Sequence, residues 1–451
     1  MRALLLDLYR AAVDAASPAR ALTRALEPLS HDPGARVWIL ALGKAAHQMA
    51  RTAVEHLAHS GSAPAGGLIV AHHAEPSPHA ALDVVTGDHP LPGDASRAAA
   101  ARLGQVASRI EEHDDAWVLL SGGASSLLGA PADAQISDAD FRDLSRLLYE
   151  SGLDIATMNL VRRRFARWGG GRLAIALARA RCVRVLIISD VVGDDIAVIG
   201  SGPCAPDPAT AADVHHALVA HELWERVPQS ARDVLARAER DARMETPKPG
   251  DPAFRHVKTT IVAGNHTALE GAAERARAMG ADVVLHSEPV VGDAAHAGAT
   301  LATVLRADAT QSHAAAHGAW WRCLLWGGET TVDLRGISAP RGGRCQELAL
   351  AAARVLSGLG PSVALLAAGT DGRDGPTDAA GATVDGESWE RLRAAGRDPE
   401  DDLAQHRSYD ALDAAGMLLK TGPTDTNVMD VMIALCPTSR PDVEHAGPAR
   451  G

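Results

Sequence analysis

The stretch Val37-Trp-Ile-Leu-Ala-Leu-Gly-Lys-Ala-Ala46 decides the fold class of this chain. Its apolar first part is followed by a turn at Gly43 and Lys44, and then by an Ala-rich segment that suits a helix. An apolar strand, a polar turn and a helix in this order form the repeating unit of parallel α/β architecture. The stretch therefore predicts a strand over residues 37–42 and a helix after the turn.

The same pattern recurs along most of the chain. The other apolar runs that we interpret as strands, each followed by a turn rich in Gly, Ser or Asp, are Leu68–Ala71, Trp117–Leu120, Val185–Ile188, Thr260–Ala263, Cys323–Trp326 and Val363–Ala367. In open α/β sheets, ligands bind outside the carboxyl ends of the strands. We therefore expect the functional site among the turn residues.

The chain of 451 residues is too long for one ordinary hydrophobic core, so we predict two domains. The segment from about residue 237 to residue 255 has mixed charges and three prolines, and it is the best candidate linker. We place one α/β domain at residues 1–240 and a second at residues 256–436. Residues 437–451, rich in Pro, Gly and charge, are expected to form a mobile tail.

Composition and charge exclude several classes of protein. The formal net charge of −12 argues against a nucleic-acid or anionic-membrane partner, because both surfaces would repel the chain. The five cysteines lie far apart without a C-x-x-C pair, which fits a reducing compartment. The sequence has neither a signal-peptide pattern nor an apolar stretch long enough to span a bilayer. We therefore expect a cytoplasmic protein.

Lysine is rare in this chain, since only four of the 44 basic side chains are lysines. Lys44 is the notable one, because it lies at the end of a predicted strand and just before a helix. A compact ammonium on a flexible stem suits a phosphate or a carboxylate in a tight pocket. The alternative is a lysine at a helix start whose stem packs on the protein while its charge reaches water.

The segment Ser121-Gly-Gly-Ala-Ser-Ser126 is a candidate anion-binding loop. Small residues leave backbone N–H groups free to surround an anion, and the N-terminus of a following helix adds a favourable dipole. A tight turn also needs glycines, so a structural role stays open. Neither G-x-x-x-x-G-K-[ST] nor G-x-G-x-x-G occurs in the chain, which weakens a dinucleotide-binding interpretation.

Carboxylates occupy two further strand-end loops. Asp190 and Asp194 lie in the first, and Asp371 and Asp374 lie in the second. Such acids can hold Mg²⁺, which prefers a few carboxylates together with water and phosphate oxygens. One of them could instead accept the proton of an attacking hydroxyl. Ordinary turn chemistry explains each Asp alone, but their convergence with Lys44 favours a site.

Three candidate residue groups lie in the last third of the chain. Glu329 follows a predicted strand, and Arg344 is preceded by glycines that allow close approach to phosphoryl oxygens. The segment Thr421-Gly-Pro-Thr-Asp-Thr-Asn427 precedes an apolar run that we predict to be a helix. Its side chains could line a nucleotide or metal site, but a turn-capping arginine and helix capping by Thr or Asp are the structural alternatives.

Taken in order, these motifs resemble the glycerate 2-kinase family with a C-terminal MOFRL domain, some of whose members have been named hydroxypyruvate reductases. The segments that carry the resemblance are Gly43–Ala45, Asp88–Pro92, Ser121–Ser125, Ser189–Asp195, Gly200–Pro203, Gly327–Thr331, Thr370–Pro376 and Gly422–Asn427. The resemblance covers nearly the whole chain. It implies two Rossmann-like α/β domains with mainly parallel sheets and an interdomain active-site cleft, of which the second would be the MOFRL-type domain.

The resemblance also implies a reaction, in which MgATP phosphorylates D-glycerate to 2-phosphoglycerate. A homodimer is one possible assembly. The residues expected to be catalytic are Lys44, Arg344, Asp190 and Asp371. Those expected to bind substrate or nucleotide are Gly43, Ser121, Gly122, Gly123, Ser125, Asn265, Thr370, Thr424 and Asn427. Those expected to bind Mg²⁺ are Asp190, Asp194, Glu329, Asp371 and Asp374.

The chain departs from the family pattern at a few positions. Arg164, Ala166 and Gly169 stand where the family usually has His, Ser and Lys, and Cys345 replaces an expected Asn. These changes bear on substrate choice and catalytic efficiency more than on the fold. Two alternatives therefore stay open, an NAD(P)H-dependent hydroxypyruvate reductase and a non-catalytic ligand-binding relative.

Overall fold

The computed structural model describes residues 1–28, 35–310, 321–334 and 340–438. It divides into two compact units. Residues 18–262 form the N-terminal unit, and residues 1–17 together with those from 263 onward form the C-terminal unit. Apart from residues 437 and 438, the predicted tail lies outside the described residues.

The N-terminal unit contains a six-stranded sheet and its surrounding helices. Its strands are β1 Arg36–Leu42, β2 Pro64–Ala71, β3 Leu82–Thr86, β4 Asp114–Leu120, β5 Cys182–Ile188 and β6 Val257–Ala263. Its α-helices are α2 Pro18–Leu26, α3 Ala46–His59, α4 Asp94–Ala107, α5 Ala124–Leu127, α6 Asp138–Glu150, α7 Ile155–Phe165, α8 Arg172–Ala176, α9 Ala211–Ala220 and α10 Gln229–Ala238. Short 3₁₀ segments occur at Val192–Asp194, Ile199–Ser201, Trp224–Arg226, Ala242–Met244 and Pro252–His256.

The strand order of this sheet is β3-β2-β1-β4-β5-β6, and β1 pairs in parallel with both β2 and β4. The central strands are apolar and buried on both faces, as parallel strands covered by helices require. Leu42 is opposite Leu120, and Leu120 is opposite Ile187. The loops that follow β1, β4 and β5 therefore begin at the same edge of the sheet.

The C-terminal unit contains a mixed sheet. Its strands are β7 Asp282–Leu285, β8 Val290–Asp293, β9 Trp321–Thr331, β10 Gly360–Gly369, β11 Gly381–Gly386, β12 Leu418–Leu419 and β13 Asp430–Pro437. Its α-helices are α1 Arg2–Ala15, α11 Asn265–Ala278, α12 Ala294–Thr310, α13 Arg344–Leu356, α14 Ser388–Ala394, α15 Pro399–Ala404 and α16 Ser408–Ala414.

The order of this second sheet is β12-β11-β10-β13-β9-β7, with β8 also paired to β9. Here β10 is antiparallel to β11 and β13, and β13 is antiparallel to β9, so the expectation of mainly parallel strands holds for the first sheet and not for this one. Gly369 is opposite Asp430, and Asp430 is opposite Gly328. The end of β10, the start of β13 and the glycine pair of β9 therefore share one edge.

The prediction of a helix after Asn427 was wrong, because residues 430–437 form the central strand β13. All of these residues except the last are buried. A short apolar run that is covered on both faces carries no periodicity that separates a strand from a buried helix. All the runs that the sequence predicted to be strands lie within strands of the structure.

The two units differ in two places from the predicted limits of 1–240 and 256–436. Strand β6 belongs to the first sheet, and helix α1 packs in the C-terminal unit. Helix α1 lies close to α11 because Gly271 has no side chain, and a Cβ there would be 2.3 Å from that of Ala15. The Tyr9 hydroxyl also donates a hydrogen bond to Gly369 O at 2.7 Å. None of the helices within the described ranges is long and apolar enough to cross a membrane.

Candidate active site

In the N-terminal unit, the loops after β1 and β4 are joined directly. Ser121 N donates to Leu42 O and Lys44 N donates to Gly122 O, both at 2.9 Å. The Ser121 hydroxyl accepts a hydrogen bond from Ala45 N at 3.0 Å. Gly43 has φ +126°, and a Cβ there would lie 2.3 Å from Ser121 Oγ. Only glycine fits at this position, so the Gly-Lys turn and the serine loop fold as one structure.

The two glycines of the serine loop bring charged side chains together. A Cβ on Gly122 would lie 1.8 Å from Asp190 Oδ2. A Cβ on Gly123, whose φ is +85°, would lie 3.2 Å from Lys44 Cγ and 3.3 Å from His89 Cδ2. The structure therefore gathers Lys44, His89 and Asp190 around the loop at residues 121–123. We call this group the lysine site.

The charges of the lysine site are only partly balanced. Lys44 is exposed, and within the described ranges its ammonium makes no hydrogen bond or ion pair. Burial raises the pKa of Asp190, although the Lys44 cation acts in the opposite direction. Partial burial lowers the pKa of His89 to about 4, and the Lys44 cation contributes to this effect. At neutral pH, the site therefore has an ammonium available for an anion, a carboxylate with raised proton affinity, and an uncharged imidazole.

Two further predicted residues lie along the same loops. The Ser125 and Ser201 hydroxyls are 2.7 Å apart, and Ser201 Oγ also donates to Asn159 Oδ1 at 3.5 Å. Asp194 has φ +55°, and its buried Oδ1 has no hydrogen-bond partner in the described part of the chain. Ser125 is thus oriented by its neighbours, whereas Asp194 retains an unused acceptor.

In the C-terminal unit, Arg344 is held by two carboxylates. Its guanidinium donates to Asp430 Oδ2 at 2.5 Å and to Oδ1 at 2.9 Å, and it lies 2.9 Å from Glu329 Oε1. Burial alone would lower the pKa of Arg344, but the hydrogen bonds and charges of Asp430 and Glu329 raise it. Asp430 is fully buried at the start of β13. The sequence interpretation missed Asp430, because the segment was taken for a helix.

Asp371 approaches the same place. A Cβ on Gly369 would lie 3.1 Å from Asp371 Oδ1 and 3.5 Å from Asp430 Oδ1. Asp371 Oδ1 also accepts a hydrogen bond from Arg373 N at 2.9 Å. Together with Glu329 and Arg344, these residues give three carboxylates to one guanidinium. We call this group the acidic cluster, and its net charge favours a cation.

Asp374, predicted to bind metal, caps a helix in the structure. Its carboxylate accepts hydrogen bonds from Cys345 N at 3.2 Å and Gln346 N at 2.8 Å, at the start of α13. A Cβ on Gly343 would lie 2.2 Å from Asp374 Cγ, so this glycine permits the contact. Burial raises the pKa of Asp374 to about 7. Both oxygens are used by backbone amides, which favours a structural role.

Four residues predicted to bind substrate or nucleotide connect the chain around β13. Asn265 Nδ2 donates to Val428 O at 2.8 Å and Asp430 O at 2.9 Å. The hydroxyls of Thr370 and Thr424 donate hydrogen bonds to backbone carbonyls, and the side-chain oxygen of Asn427 accepts one from a backbone amide. These contacts fix the segment that carries Asp430. The predicted binding roles of these residues stay predictions.

The basic segment at residues 159–172, which spans the end of α7 and the start of α8, contains the departures from the family pattern and is mostly structural. Arg164 forms a buried ion pair with Glu245 at 2.9 Å. Arg172 donates to the carbonyls of Arg163, Arg164, Ala166 and Gly169, and burial lowers its pKa to about 10. In the described ranges, no group of three or more His, Cys, Asp or Glu side chains, the acidic cluster included, is arranged to hold a metal ion by itself.

Comparisons with known proteins agree with this architecture. Residues 4–236 match the model of a domain of unknown function, DUF4147, and residues 322–430 match the MOFRL family. The glycerate 2-kinase of Pyrococcus horikoshii is 35% identical over 98% of this chain and 98% of its own. A protein of Agrobacterium vitis with a hydroxypyruvate reductase name is 35% identical over 96% of this chain and 94% of its own.

A solved structure matches equally well. The crystal structure of glycerate kinase from Thermotoga maritima superposes with a TM-score of 0.83 at 32% identity, and covers 96% of this chain and 98% of that one. The fold and the loop residues define an α/β protein of the DUF4147 and MOFRL type. The chain belongs to the glycerate 2-kinase family.

Proposed function

We propose that this protein is an ATP-dependent kinase that transfers the γ-phosphoryl group to the 2-hydroxyl of D-glycerate. The relatives named above supply the reaction class. The observation that carries the proposal is the lysine site. There an ammonium that forms no hydrogen bond or ion pair in the described structure lies beside a loop of small residues at the end of a parallel strand. Such a group suits the oxygens of a transferring phosphoryl group, whose charge must be stabilised in the transition state.

Asp190 is our candidate for the general base. Its raised pKa makes it a better proton acceptor than an exposed aspartate, and it lies beside Gly122 in the same loop structure as Lys44. In the proposed reaction, the substrate oxygen forms a bond to the γ-phosphorus as the bond to the β-phosphate oxygen breaks. The hydroxyl proton passes to the Asp190 carboxylate.

The acidic cluster fits the Mg²⁺ that we propose to accompany ATP. Glu329 and Asp371 supply the hard carboxylate oxygens that Mg²⁺ prefers, whereas Asp430 is committed to Arg344. Mg²⁺ usually takes one or two carboxylates together with phosphate oxygens, so a complete protein cage is not required. When bound, the ion would neutralise charge on the phosphate oxygens. A homodimer and a cytoplasmic location stay predictions.

The test is a direct assay of the purified full chain. With MgATP and D-glycerate we expect ADP, and a product that enolase converts at once, because enolase uses 2-phosphoglycerate. A product that needs phosphoglycerate mutase first would move the transfer to the 3-hydroxyl. Oxidation of NADH by hydroxypyruvate without ADP formation would overturn the kinase proposal. Thermal stabilisation by glycerate without any turnover would indicate a non-catalytic binding protein.

A further inference from the structure

Helix α7 carries three consecutive arginines in different electrostatic environments. Arg163 lies 3.6 Å from Asp207, and Arg164 lies 2.9 Å from Glu245. Arg162 is partly buried, yet across the described residues its guanidinium has neither a hydrogen bond nor an ion pair. Burial lowers the pKa of Arg162, and no neighbouring carboxylate offsets the effect. The fold therefore keeps one partly desolvated cation without a counter-ion.

A partly buried guanidinium without partners is unfavourable unless a ligand forms hydrogen bonds or an ion pair with it. A guanidinium has five N–H donors, and removing them from water without partners costs free energy. The simplest structural explanation is the position of Arg162 in the last turn of α7, where a cation interacts favourably with the helix dipole. That interaction is not specific for arginine, since a lysine would serve as well.

The position of Arg162 on the helix suggests a ligand instead. Asn159 precedes it by three residues, so the two side chains lie on the same face of α7. Asn159 Oδ1 accepts a hydrogen bond from the Ser201 hydroxyl, which is 2.7 Å from that of Ser125. Ser125 belongs to the serine loop of the lysine site. The face of α7 with Arg162 is therefore linked to this loop through side-chain hydrogen bonds.

We propose that Arg162 binds the carboxylate of the hydroxy-acid substrate and so determines substrate specificity. This inference rests on the proposed kinase function and adds a residue that is not among the predicted site residues. A planar guanidinium can donate two parallel hydrogen bonds to a carboxylate, whereas an ammonium acts as a point charge. In this arrangement Lys44 would bind the phosphoryl oxygens, and Arg162 would bind the carboxylate of the substrate.

The experiment compares Arg162→Gln, Arg162→Lys and the control Arg167→Gln in the full chain. Arg167 is an exposed neighbour that contacts the ring of Trp168, and its replacement should leave the kinetics unchanged. For Arg162→Gln we expect the KM for D-glycerate to rise about 10- to 100-fold, which corresponds to a lost charged hydrogen-bond pair. The KM for ATP should change less than about threefold. Arg162→Lys should recover only part of the loss, because it cannot make the paired contact.

The outcomes separate this inference from the kinase proposal. If the wild type makes no ADP from glycerate, the kinase proposal fails, and calorimetric binding of D-glycerate to wild type and Arg162→Gln still tests the carboxylate contact. If the wild type is active but Arg162→Gln keeps its KM for glycerate, the inference alone is wrong. Full recovery in Arg162→Lys, together with a lower melting temperature in Arg162→Gln, would assign Arg162 to the helix dipole.

Discussion

The lysine site and the acidic cluster use similar residue types in opposite electrostatic states. In the lysine site, the ammonium of Lys44 has no hydrogen-bond or ion-pair partner within the described chain, and the same holds for the guanidinium of Arg162 on α7. In the acidic cluster, Arg344 is bound by Asp430 and Glu329, and Asp371 adds a further carboxylate. The first arrangement attracts anions and the second attracts cations.

The presence or absence of a charged partner distinguishes residues that are available to bind ligands from residues that stabilise the fold. An unpaired cation contributes little to folding, so its removal should affect turnover alone. A cation held by a buried carboxylate is part of the structure, because removing one partner leaves the other charge buried and unpaired. Lys44 and Arg344 were predicted to have the same task, yet their partners differ.

Replacing Lys44 by Ala should lower kcat/KM by about 100- to 1,000-fold, as the loss of one group that stabilises transition-state charge does. Because the side chain is exposed and has no partner in the described structure, the melting temperature should stay within about 1 °C. Steady-state kinetics and thermal unfolding measure the two effects. Lys258→Ala, another exposed lysine, is the matched control. Near-normal activity in Lys44→Ala would show that Lys44 does not take part in the reaction.

Replacing Asp430 by Asn should destabilise the protein as well as impair it. The side chain keeps its shape but loses the charge that balances Arg344, and Asp430 is fully buried. Arg344 is partly exposed and keeps Glu329, so we expect the free energy of unfolding to fall by about 2 kcal/mol. The control Glu329→Gln removes a partly exposed partner and should cost less than about 1 kcal/mol. Equal losses in urea denaturation would contradict the distinction.

Much of the fold could be predicted from the sequence, because strands buried on both faces appear as short apolar runs. The runs at residues 37–42 and 117–120 end in glycine-rich turns, and these turns form the lysine site. The run at residues 431–436 is similarly apolar but was predicted to be a helix, since a fully buried segment shows no alternation of apolar and polar residues. That error also concealed Asp430, because its importance depends on the pairing of β13 with β9 and β10.

The partners of each charged side chain could not be predicted in the same way. Asp371 and Asp374 lie three residues apart in one Gly-rich loop and look equivalent in sequence. In the structure, Asp374 caps α13 while Asp371 lies beside Gly369 and the acidic cluster. The difference arises from the position of a helix that starts 30 residues earlier in the chain, at Arg344, a long-range relation that spacing does not encode.

Asp374 gives the most specific prediction, since its capping role should appear as a gradual pH dependence of stability. Burial raises its pKa in the folded state to about 7, whereas an unfolded aspartate titrates near about 3.9. Between these values the folded state holds a proton that the unfolded state has lost. The free energy of unfolding should therefore fall as the pH rises through this window, by about 1 kcal/mol for each pH unit, and level off above pH 7.

Asp374→Asn lacks this titration and keeps a side-chain oxygen that can accept from the amides of α13. The unfolding free energy of the variant, relative to wild type, should therefore increase from pH 4.5 to about pH 7 and then stay constant. Urea denaturation at intervals of one pH unit measures the difference, and Asp378→Asn, an exposed acid in the same loop, is the control. A difference that does not vary with pH would mean that Asp374 is ionised throughout. A buried carboxylate that stays ionised would be stabilised by the two amide hydrogen bonds and the dipole of α13, or by a bound cation such as the metal that the sequence first suggested, and added Mg²⁺ would distinguish the two by its effect on stability.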